Sequence, residues 1–206
     1  MTQPGYDAMA QLYSETFPSA YQTPLEGHVV AGFVDLVREG PAEGVVVDVG
    51  CGLGHVAADL AGRGLEVIGV EPSLGMLDIA RGNYPDLRLI QDDALLGSAD
   101  LAGERIRALI ARFSLIHLPP AEIPGVLARW ADLLDPGALV SVAGQSTDTA
   151  GAVVEFDHLV ARAWRWHPDR LAGALADAGF DEVWRTVSRP DAHNRFPAVH
   201  LVARRR

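Results

Sequence analysis

The residues of this sequence best placed to do chemistry are a glycine-rich turn and the carboxylate that precedes it. Residues 45–49 read VVVDV, and the turn after them carries Gly50, Gly52 and Gly54. A glycine-rich turn after a buried strand usually holds a phosphate. Asp48 stands two residues before the first glycine and would repel a phosphate, but it suits an ammonium group. We therefore expect the turn to hold a ligand that carries a positive charge.

Carboxylates recur at the ends of the next two predicted strands. Glu71 ends the second strand, where a carboxylate can accept hydrogen bonds from both hydroxyls of a ribose. Asp92, with Asp93 beside it, ends the third strand and can accept a hydrogen bond from an exocyclic amine such as that of adenine. The expected ligand therefore has an ammonium, a ribose and an adenine but needs no phosphate. S-adenosylmethionine fits this description.

Alternating strand and helix patterns place these carboxylates at one edge of a sheet. Five apolar strands, with helical patterns after most of them, predict a parallel sheet with right-handed crossovers. A further helix (167–180) and two strands joined by a short loop follow. The predicted fold is a Rossmann-like, doubly wound α/β domain with helices on both faces. Its seven-stranded sheet is mostly parallel and ends in an antiparallel hairpin, with predicted strands at 45–49, 66–71, 87–93, 105–114, 138–144, 181–188 and 196–205.

The length of 206 residues suits one domain, which we divide into four parts. Residues 1–43 form an N-terminal helical cap, 44–144 the cofactor-binding core, 145–166 a substrate lid, and 167–206 a C-terminal helix and hairpin. Apolar residues of the lid recur at helical spacing, which is typical both of a helix packed on the domain and of a cover over an acceptor. They are Val153, Phe156, Val160, Ala163 and Trp164.

Composition excludes several classes of function. The net charge of −10 argues against nucleic acids and anionic membranes as partners. All 17 basic residues are arginines, which excludes Schiff-base chemistry at a lysine. Cys51 is the only cysteine and is interpreted as a small packing residue. With no apolar run near the ~18 residues of a membrane span and no signal peptide, we expect a cytoplasmic protein.

Five stretches from Asp48 onward, in the same order along the chain, and the opening helix resemble the class I S-adenosylmethionine-dependent methyltransferase family. Asp48 to Gly54 matches its [DE]-x-G-x-G-x-G motif. VIGVEPS (67–73) resembles the second strand with its ribose-binding acid, and QDDA (91–94) the adenine-side motif. FSLIHLPP (113–120) and the following LARWADLLDPGALVSV resemble the fourth strand through the fifth, and LAGALADAGF (171–180) resembles the penultimate helix and its turn. Residues 6–17 resemble the opening helix of the branch that acts on small molecules.

The resemblance implies S-adenosylmethionine as cofactor, S-adenosylhomocysteine as product, and a role for each matching residue. Asp48 would anchor the amino group, and Gly50, Cys51 and Gly52 would pack on the methionine moiety. Glu71 would hold the ribose. The adenine would lie between Pro72, Ser73 and Met76 on one side and Asp92, Asp93 and Ala94 on the other, with Arg112 and Phe113 near the methyl donor.

The same resemblance implies an acceptor pocket between the N-terminal helices and residues 144–166. Its expected lining consists of aromatic residues, namely Tyr6, Tyr13, Phe156, Trp164 and Trp166. His117 lies just past the fourth strand, where it would serve either as a general base or as a scaffold residue. We expect no metal, because no carboxylate follows the fourth strand. The remaining histidines show no metal-ligand spacing: His28, His55, His158, His167, His193 and His200.

Two alternative functions stay open at this point. Gly52-Leu-Gly54-His-Val-Ala57 also fits the dinucleotide pattern G-x-G-x-x-A, in which case Glu71 would bind the ribose of NAD in an oxidoreductase. The other alternative is a non-catalytic protein that binds S-adenosylmethionine without turnover. The acceptor, the atom methylated and the oligomeric state do not follow from the sequence.

Overall fold

A computed structural model describes residues 4–40, 42–191 and 194–206. Its helices are α1 Pro4–Thr16, α2 Pro24–Glu39, α3 His55–Gly62, α4 Leu74–Asn83, α5 Ile123–Leu133 and α6 Pro168–Asp177. Its strands are β1 Val45–Val49, β2 Val67–Val70, β3 Arg88–Ile90, β4 Ile106–Arg112, β5 Leu134–Gln145, β6 Val153–Phe156, β7 Ala163–Trp166, β8 Phe180–Val187 and β9 Ala198–Arg205. His193 lies outside the described residues.

Seven strands form one sheet in the order β3-β2-β1-β4-β5-β9-β8. The strands from β3 to β5 pair in parallel, whereas β9 is antiparallel to both β5 and β8. The predicted doubly wound fold with a C-terminal antiparallel hairpin is therefore confirmed. The strand order reverses at β1, which lies between β2 and β4, so a ligand crevice is expected at the carboxyl end of these strands.

Helices cover both faces of the sheet, and this explains why β1 is apolar at nearly every position. On one face, Val47 packs with α5 residues such as Leu127 and Trp130. On the other face, Val46 packs with Phe33 of α2 and Leu60 of α3. A strand buried on both sides needs a continuous apolar sequence rather than an alternating one. Asp48 breaks that pattern, and it faces the side covered by α2 and α3.

Several predicted boundaries move by a few residues. The fifth strand was expected at 138–144 but begins at Leu134, because this buried residue pairs with Ile106 of β4. The helix before it consequently ends at Leu133, ahead of the Pro-Gly pair that was expected to stop it. The fourth strand ends at Arg112, since Phe113 has a φ of +54° and leaves the extended conformation.

The helical spacing expected over residues 153–164 was wrong. Residues Val153–Phe156 and Ala163–Trp166 form an antiparallel two-stranded sheet, in which Val153 pairs with Trp166 and Phe156 with Ala163. Trp164 and Trp166, two residues apart, are both buried against the core, as strand periodicity requires. β-branched and aromatic residues favour strands, and here they outweigh an apolar spacing that also fits a helix.

The N-terminal helix is held on α4 by a carboxylate. Asp7 of α1 accepts hydrogen bonds from the Ser73 hydroxyl (2.6 Å) and the Gly75 backbone N–H (3.0 Å) at the start of α4. These bonds hold the pKa of Asp7 below its ordinary value, the Ser73 hydroxyl having the largest effect. The contact places α1 over the carboxyl edge of the sheet. No helix of the described residues has the length and apolar character needed to cross a membrane.

Candidate active site

The glycine turn after β1 folds back on β2 and leaves an open space beside it. The Gly50 N–H donates to the Val70 carbonyl at 2.7 Å, and a Cβ at Gly50 would lie 2.3 Å from the Cβ of Ser114. Gly52 has a φ of +54°, which favours glycine, and a Cβ there would meet no atom within 4 Å. The turn is therefore pressed against protein at Gly50 and open to a ligand at Gly52.

Asp48 is a buried carboxylate whose hydrogen bonding is incomplete. Its side chain is 2% exposed, and its Oδ2 atom has no hydrogen-bond partner among the described residues. Burial raises the pKa of Asp48 to about 7, with the charge of Arg112 acting in the opposite direction and that of Glu71 adding to the rise. A cationic group beside Oδ2 would favour the charged form, as an ammonium does.

Arg112, at the end of β4, supplies a buried positive charge in the same region. Its Nη2 donates to Glu26 of α2 at 2.5 Å, and its Nη1 donates to the Ala20 carbonyl at 3.1 Å. The Nε atom is buried without a partner in the described part of the chain. Arg112 and Asp48 are not joined by a hydrogen bond or ion pair there, so each keeps one polar atom for a third group.

Glu71 binds the glycine turn and the start of α4 together. Its Oε2 accepts from the Gly52 N–H and its Oε1 from the Ser73 N–H, both at 2.9 Å. Burial raises the pKa of Glu71, while these two hydrogen bonds act against that rise. Each carboxylate oxygen keeps a second lone pair, so hydroxyls of a ribose can still be accepted.

The residues expected around an adenine lie at the ends of β2 and β3. Ser73 caps α4 by accepting from the Met76 N–H, and Met76 is buried beside Ala10 and Leu53. Pro72 is half-buried, and its carbonyl accepts from the Gln91 amide at 3.3 Å, which joins the two strand ends.

The acidic pair after β3 mainly organises its own loop. The Asp92 carboxylate accepts from the backbone N–H groups of Asp93 (2.8 Å) and Ser98 (2.7 Å). Asp93 accepts from the Leu95 N–H at 2.8 Å, and the Ala94 carbonyl accepts from the Trp130 indole at 2.7 Å. The adenine role of Asp92, Asp93 and Ala94 stays a prediction. The hydrogen bonds within this loop explain why β3 ends before these residues.

His117 is paired with Tyr6, a partner that the sequence does not reveal. The Nδ1 atom lies 3.0 Å from the Arg162 carbonyl, which can only accept, so Nδ1 carries the proton. The Tyr6 hydroxyl therefore donates to Nε2 at 2.7 Å. Burial lowers the pKa of His117 to about 4, so the imidazole is neutral at pH 7. Burial also raises the pKa of the Tyr6 hydroxyl.

Of the five aromatic residues expected in the acceptor pocket, two belong to the core instead. Trp164 and Trp166 are buried among apolar residues on the face of the sheet covered by α5 and α6. Tyr6, Tyr13 and Phe156 are only half-buried. Tyr6 and Tyr13 pack against Leu53 of the glycine turn and Met76 of α4. Burial raises the pKa values of both tyrosines, and the negative charge of Glu71 adds to that rise.

Two site residues were missed by the sequence reasoning. Glu26, which neutralises Arg112, lies 86 residues before it in the chain, and Asp7 lies 66 residues before Ser73. A buried arginine predicts a carboxylate partner in general, but no local pattern says which carboxylate it is.

Further histidines of the described residues lie outside this pair, among them His28, His55, His167 and His200. His55 contacts the Tyr84 hydroxyl at 2.7 Å, and His167 caps α6. His200 is buried next to Phe113, and burial lowers its pKa to about 4. His28 is exposed. The Cys51 thiol is buried, and burial raises its pKa, as fits a packing residue rather than a nucleophile.

The sheet, its switch point and the strand-end carboxylates define a Rossmann-like protein with a site for a nucleoside-containing cofactor. A family model described as a methyltransferase domain matches residues 46–137. The chain is 33% identical over 168 residues to the methyltransferase GfsG of Streptomyces halstedii, which covers 75% of this chain and 59% of GfsG. It is 27% identical over 193 residues to a demethylmenaquinone methyltransferase of Renibacterium salmoninarum, covering 81% and 77% of the two chains.

Solved structures share the fold over almost the whole chain. The CcbJ methyltransferase of Streptomyces caelestis matches with a TM-score of 0.74 at 24% identity, covering 99% of this chain and 98% of its own. The magnesium protoporphyrin IX methyltransferase of Synechocystis PCC 6803, solved with bound S-adenosylmethionine, matches with a TM-score of 0.72 at 17% identity and 99% and 95% coverage. Residues 46–137 thus match a methyltransferase-domain family, and the chain as a whole has the fold of solved methyltransferases. It spans less than two thirds of the length of GfsG.

Proposed function

We propose that this protein transfers a methyl group from S-adenosylmethionine to a small-molecule acceptor without a metal. The observation that carries the proposal is the pair of incomplete buried charges at the switch point. Asp48 Oδ2 and Arg112 Nε have opposite charges, are both buried, and both lack a partner in the described chain. The ammonium and carboxylate of a methionine moiety are complementary to these two groups.

The remaining contacts of the cofactor follow from the geometry of the turn. The open space at Gly52 accommodates the methionine chain, and the free lone pairs of Glu71 accept the ribose hydroxyls. Asp48 makes a pyrophosphate unfavourable here, which argues against the dinucleotide alternative. Pro72 and Met76 would flank the adenine, with Asp92, Asp93 and Ala94 on its other side.

S-adenosylmethionine, when bound, supplies a methyl group that a sulfonium already activates. This chain then needs only to orient the acceptor, exclude water and, for a hydroxyl acceptor, remove one proton. We assign the last role to His117 and Tyr6. The acceptor proton would pass to the Tyr6 oxygen while the Tyr6 proton passes to His117 Nε2. A neutral His117 at pH 7 is free to take that proton.

Calorimetric titration with S-adenosylhomocysteine tests the cofactor assignment directly. Wild-type protein should bind S-adenosylhomocysteine. Glu71→Gln should bind it at least about tenfold more weakly, a loss of about 1.4 kcal/mol in binding free energy, because the glutamine amide has only one oxygen that can accept a hydrogen bond. NAD, titrated in parallel, should show no binding. Binding of NAD but not of S-adenosylhomocysteine would refute the proposal in favour of an oxidoreductase. Cofactor binding without methyl transfer to any acceptor would favour the non-catalytic alternative.

A further inference from the structure

Six aromatic rings form an unbroken line beside the candidate active site, which we call the aromatic line. The centroids of successive rings are 4.8 to 5.9 Å apart, and each pair meets edge to face. The rings come from the β8–β9 loop, the β6–β7 hairpin, the turn after β4 and α1. In spatial order they are Phe196, Phe156, His158, His117, Tyr6 and Tyr13.

The rings of the aromatic line differ in burial from the aromatic residues of the core. Each of them is only half-buried. In contrast, Phe33, Trp130 and Phe180 of the core are fully buried at 0% exposure. Parts of the ring surfaces therefore stay accessible although the rings contact one another. An edge-to-face arrangement with an open side is suited to a planar aromatic ligand.

One end of the aromatic line reaches the cofactor site. Tyr6 and Tyr13 pack against Leu53 of the glycine turn and Met76 of α4, and the charge of Glu71 adds to the rise in their pKa values. His117, near the middle, is the residue assigned above to accept a proton. A planar acceptor along the line would consequently present one edge to the methyl donor and extend toward Phe156 and Phe196.

The other end of the aromatic line carries an arginine without a carboxylate. The Arg165 guanidinium carbon lies 3.9 Å from the Phe196 ring centroid and 5.9 Å from that of Phe156. Its one hydrogen bond runs from Nη1 to the Ser146 carbonyl at 3.4 Å, and no ion pair holds it within the described residues. The nearby acid Asp157 is already paired with Arg195 at 2.8 Å.

Arg165 and two residues at the end of β5 have buried polar atoms without partners in the described residues. Of the six such buried side-chain atoms in the described part of the chain, three belong to Gln145, Ser146 and Arg165. Gln145 and Ser146 end β5, and Ser146 bridges to Trp166 beside Arg165. Arg165 and Ser146 each have a hydrogen to donate, and the Gln145 amide donates once it is turned over. The Arg165 guanidinium and the Ser146 hydroxyl, each with a buried atom that has no partner in the described residues, are suited to an oxyanion.

We propose that the methyl acceptor is a planar aromatic carboxylate, with its ring on the aromatic line and its carboxylate at Arg165 and Ser146. This inference rests on the proposed methyltransferase function, since it names the acceptor of the same site. A stacked guanidinium keeps its N–H edge free for two parallel bonds to a carboxylate. The carboxylate would satisfy polar atoms that the chain itself leaves without partners.

Calorimetric titration of protein saturated with S-adenosylhomocysteine tests the proposal. The probes are hydroxylated benzoates and naphthoates, among them 6-hydroxy-2-naphthoate, each compared with its neutral carboxamide. At least one acid should bind wild-type protein tenfold or more tightly than its amide. Arg165→Gln should reduce that ratio to below twofold, and Arg165→Lys should retain only part of it. Arg162→Gln is the matched control, because Arg162 is exposed and already paired with Glu155, and it should keep the wild-type ratio.

The ring contribution is tested with the same titrations. Phe156→Leu should weaken the binding of acid and amide by a similar factor, and 4-hydroxycyclohexanecarboxylate should bind at least tenfold more weakly than the aromatic acids. The inference is overturned if no acid binds better than its amide, if Arg165→Gln keeps the preference, or if the cyclohexane acid binds as well as the aromatic acids. Failure to bind S-adenosylhomocysteine would instead overturn the proposed function.

Discussion

Burial of the Asp48 carboxylate has a cost in stability, and we expect the same carboxylate to add to cofactor binding. Its pKa of about 7, raised by burial, lies above the ordinary value of 3.8. Between these values the folded chain holds a proton that the unfolded chain has released, so the free energy of unfolding falls as the pH rises from about 4 to 7. A carboxylate that destabilises its own fold at neutral pH is typical of a residue kept for a ligand.

Asp48→Asn should therefore change stability and binding in opposite directions. At pH 8, without ligand, the variant should melt at least about 2 °C higher than wild type, because no charge is buried. Its affinity for S-adenosylhomocysteine should fall at least about tenfold, because the ammonium loses its counter-charge. Differential scanning calorimetry and titration calorimetry measure the two effects. A variant that both melts lower and binds normally would contradict this account of Asp48.

The affinity of the wild-type protein should also depend on pH through Asp48. Since the ammonium needs the ionised carboxylate, affinity for S-adenosylhomocysteine should fall about tenfold between pH 8 and pH 6, across the pKa of about 7. Asp48→Asn removes the titrating group and should show a much flatter profile. Titration calorimetry at half-unit pH steps measures both profiles, and equal slopes would assign the dependence to another group.

The Tyr6–His117 pair makes a prediction that needs no acceptor. Tyr6→Phe keeps the ring but removes the hydroxyl that donates to Nε2 of His117. Because that bond favours the neutral imidazole, its loss should raise the pKa of His117 above about 4, while burial, the main cause of the low pKa, still holds it below its ordinary value of 6.5. Nitrogen NMR of the imidazole across pH 3 to 8 measures the shift and the tautomer. An unchanged pKa would show that the hydroxyl does not bind Nε2.

At the scale of elements, α1 matters because it brings Tyr6 and Tyr13 against Leu53 of the glycine turn and Met76 of α4. Its contact with α4 is close at Gly75, where a Cβ would lie 3.0 Å from the Asp7 carbonyl oxygen and 3.2 Å from the Asp7 Cα. These are backbone atoms, which cannot turn aside as a side chain does. The position of α1 over the site therefore depends on a glycine in its neighbour.

Gly75→Ala should push α1 away from α4, whereas Gly82→Ala is a matched control. A Cβ at Gly82, in the same helix, would meet no atom within 4 Å. We expect Gly82→Ala to stabilise the protein by about 0.5 kcal/mol through helix propensity. Gly75→Ala should bind S-adenosylhomocysteine several-fold more weakly and release residues of α1 to protease sooner. Limited proteolysis with mass spectrometry, together with calorimetry, compares the two variants. Identical behaviour would show that the contact between α1 and α4 at Gly75 does not position α1.

At the scale of the whole molecule, β9 connects the cofactor core to the C-terminal edge. It lies between β5 and β8, and Leu201 on it is fully buried and pairs with Val142 of β5. Because β5 in turn pairs with β4, which carries Arg112 at its end, the site and the edge of the sheet should unfold as one unit.

Leu201→Ala should lower the free energy of unfolding by about 2 to 5 kcal/mol through the cavity it leaves. Val183→Ala on β8, where the residue is 39% exposed, is the control and should change it by less than about 1 kcal/mol. Urea denaturation, monitored both by circular dichroism and by S-adenosylhomocysteine binding, measures the effect of each variant. Loss of binding well before loss of the sheet would show that the site unfolds separately.

Much of the fold and part of the site could be predicted because their signals are local. A buried parallel strand needs a run of apolar residues, so Asp48 within such a run is conspicuous, and the glycines after it mark a turn. Parallel strands bring their carboxyl ends to one edge, which places Glu71 and Asp92 near Asp48 without any knowledge of packing. The hairpin at 153–166 was mistaken for a helix because short apolar runs fit both periods.

The sequence by itself determined the alternating fold, the strand-end carboxylates and the type of cofactor they suit, because each follows from neighbouring residues and chain direction. Only the tertiary structure decided which distant side chains meet. Tyr6 and His117 are 111 residues apart, and Arg112 and Glu26 are 86 apart. Such pairs depend on strand order and on how α1, α2 and the hairpin pack over the sheet edge. Such distant contacts occur both at Arg112, which we assign to the cofactor, and at His117, which we assign to the acceptor, whereas the glycine turn is built from consecutive residues.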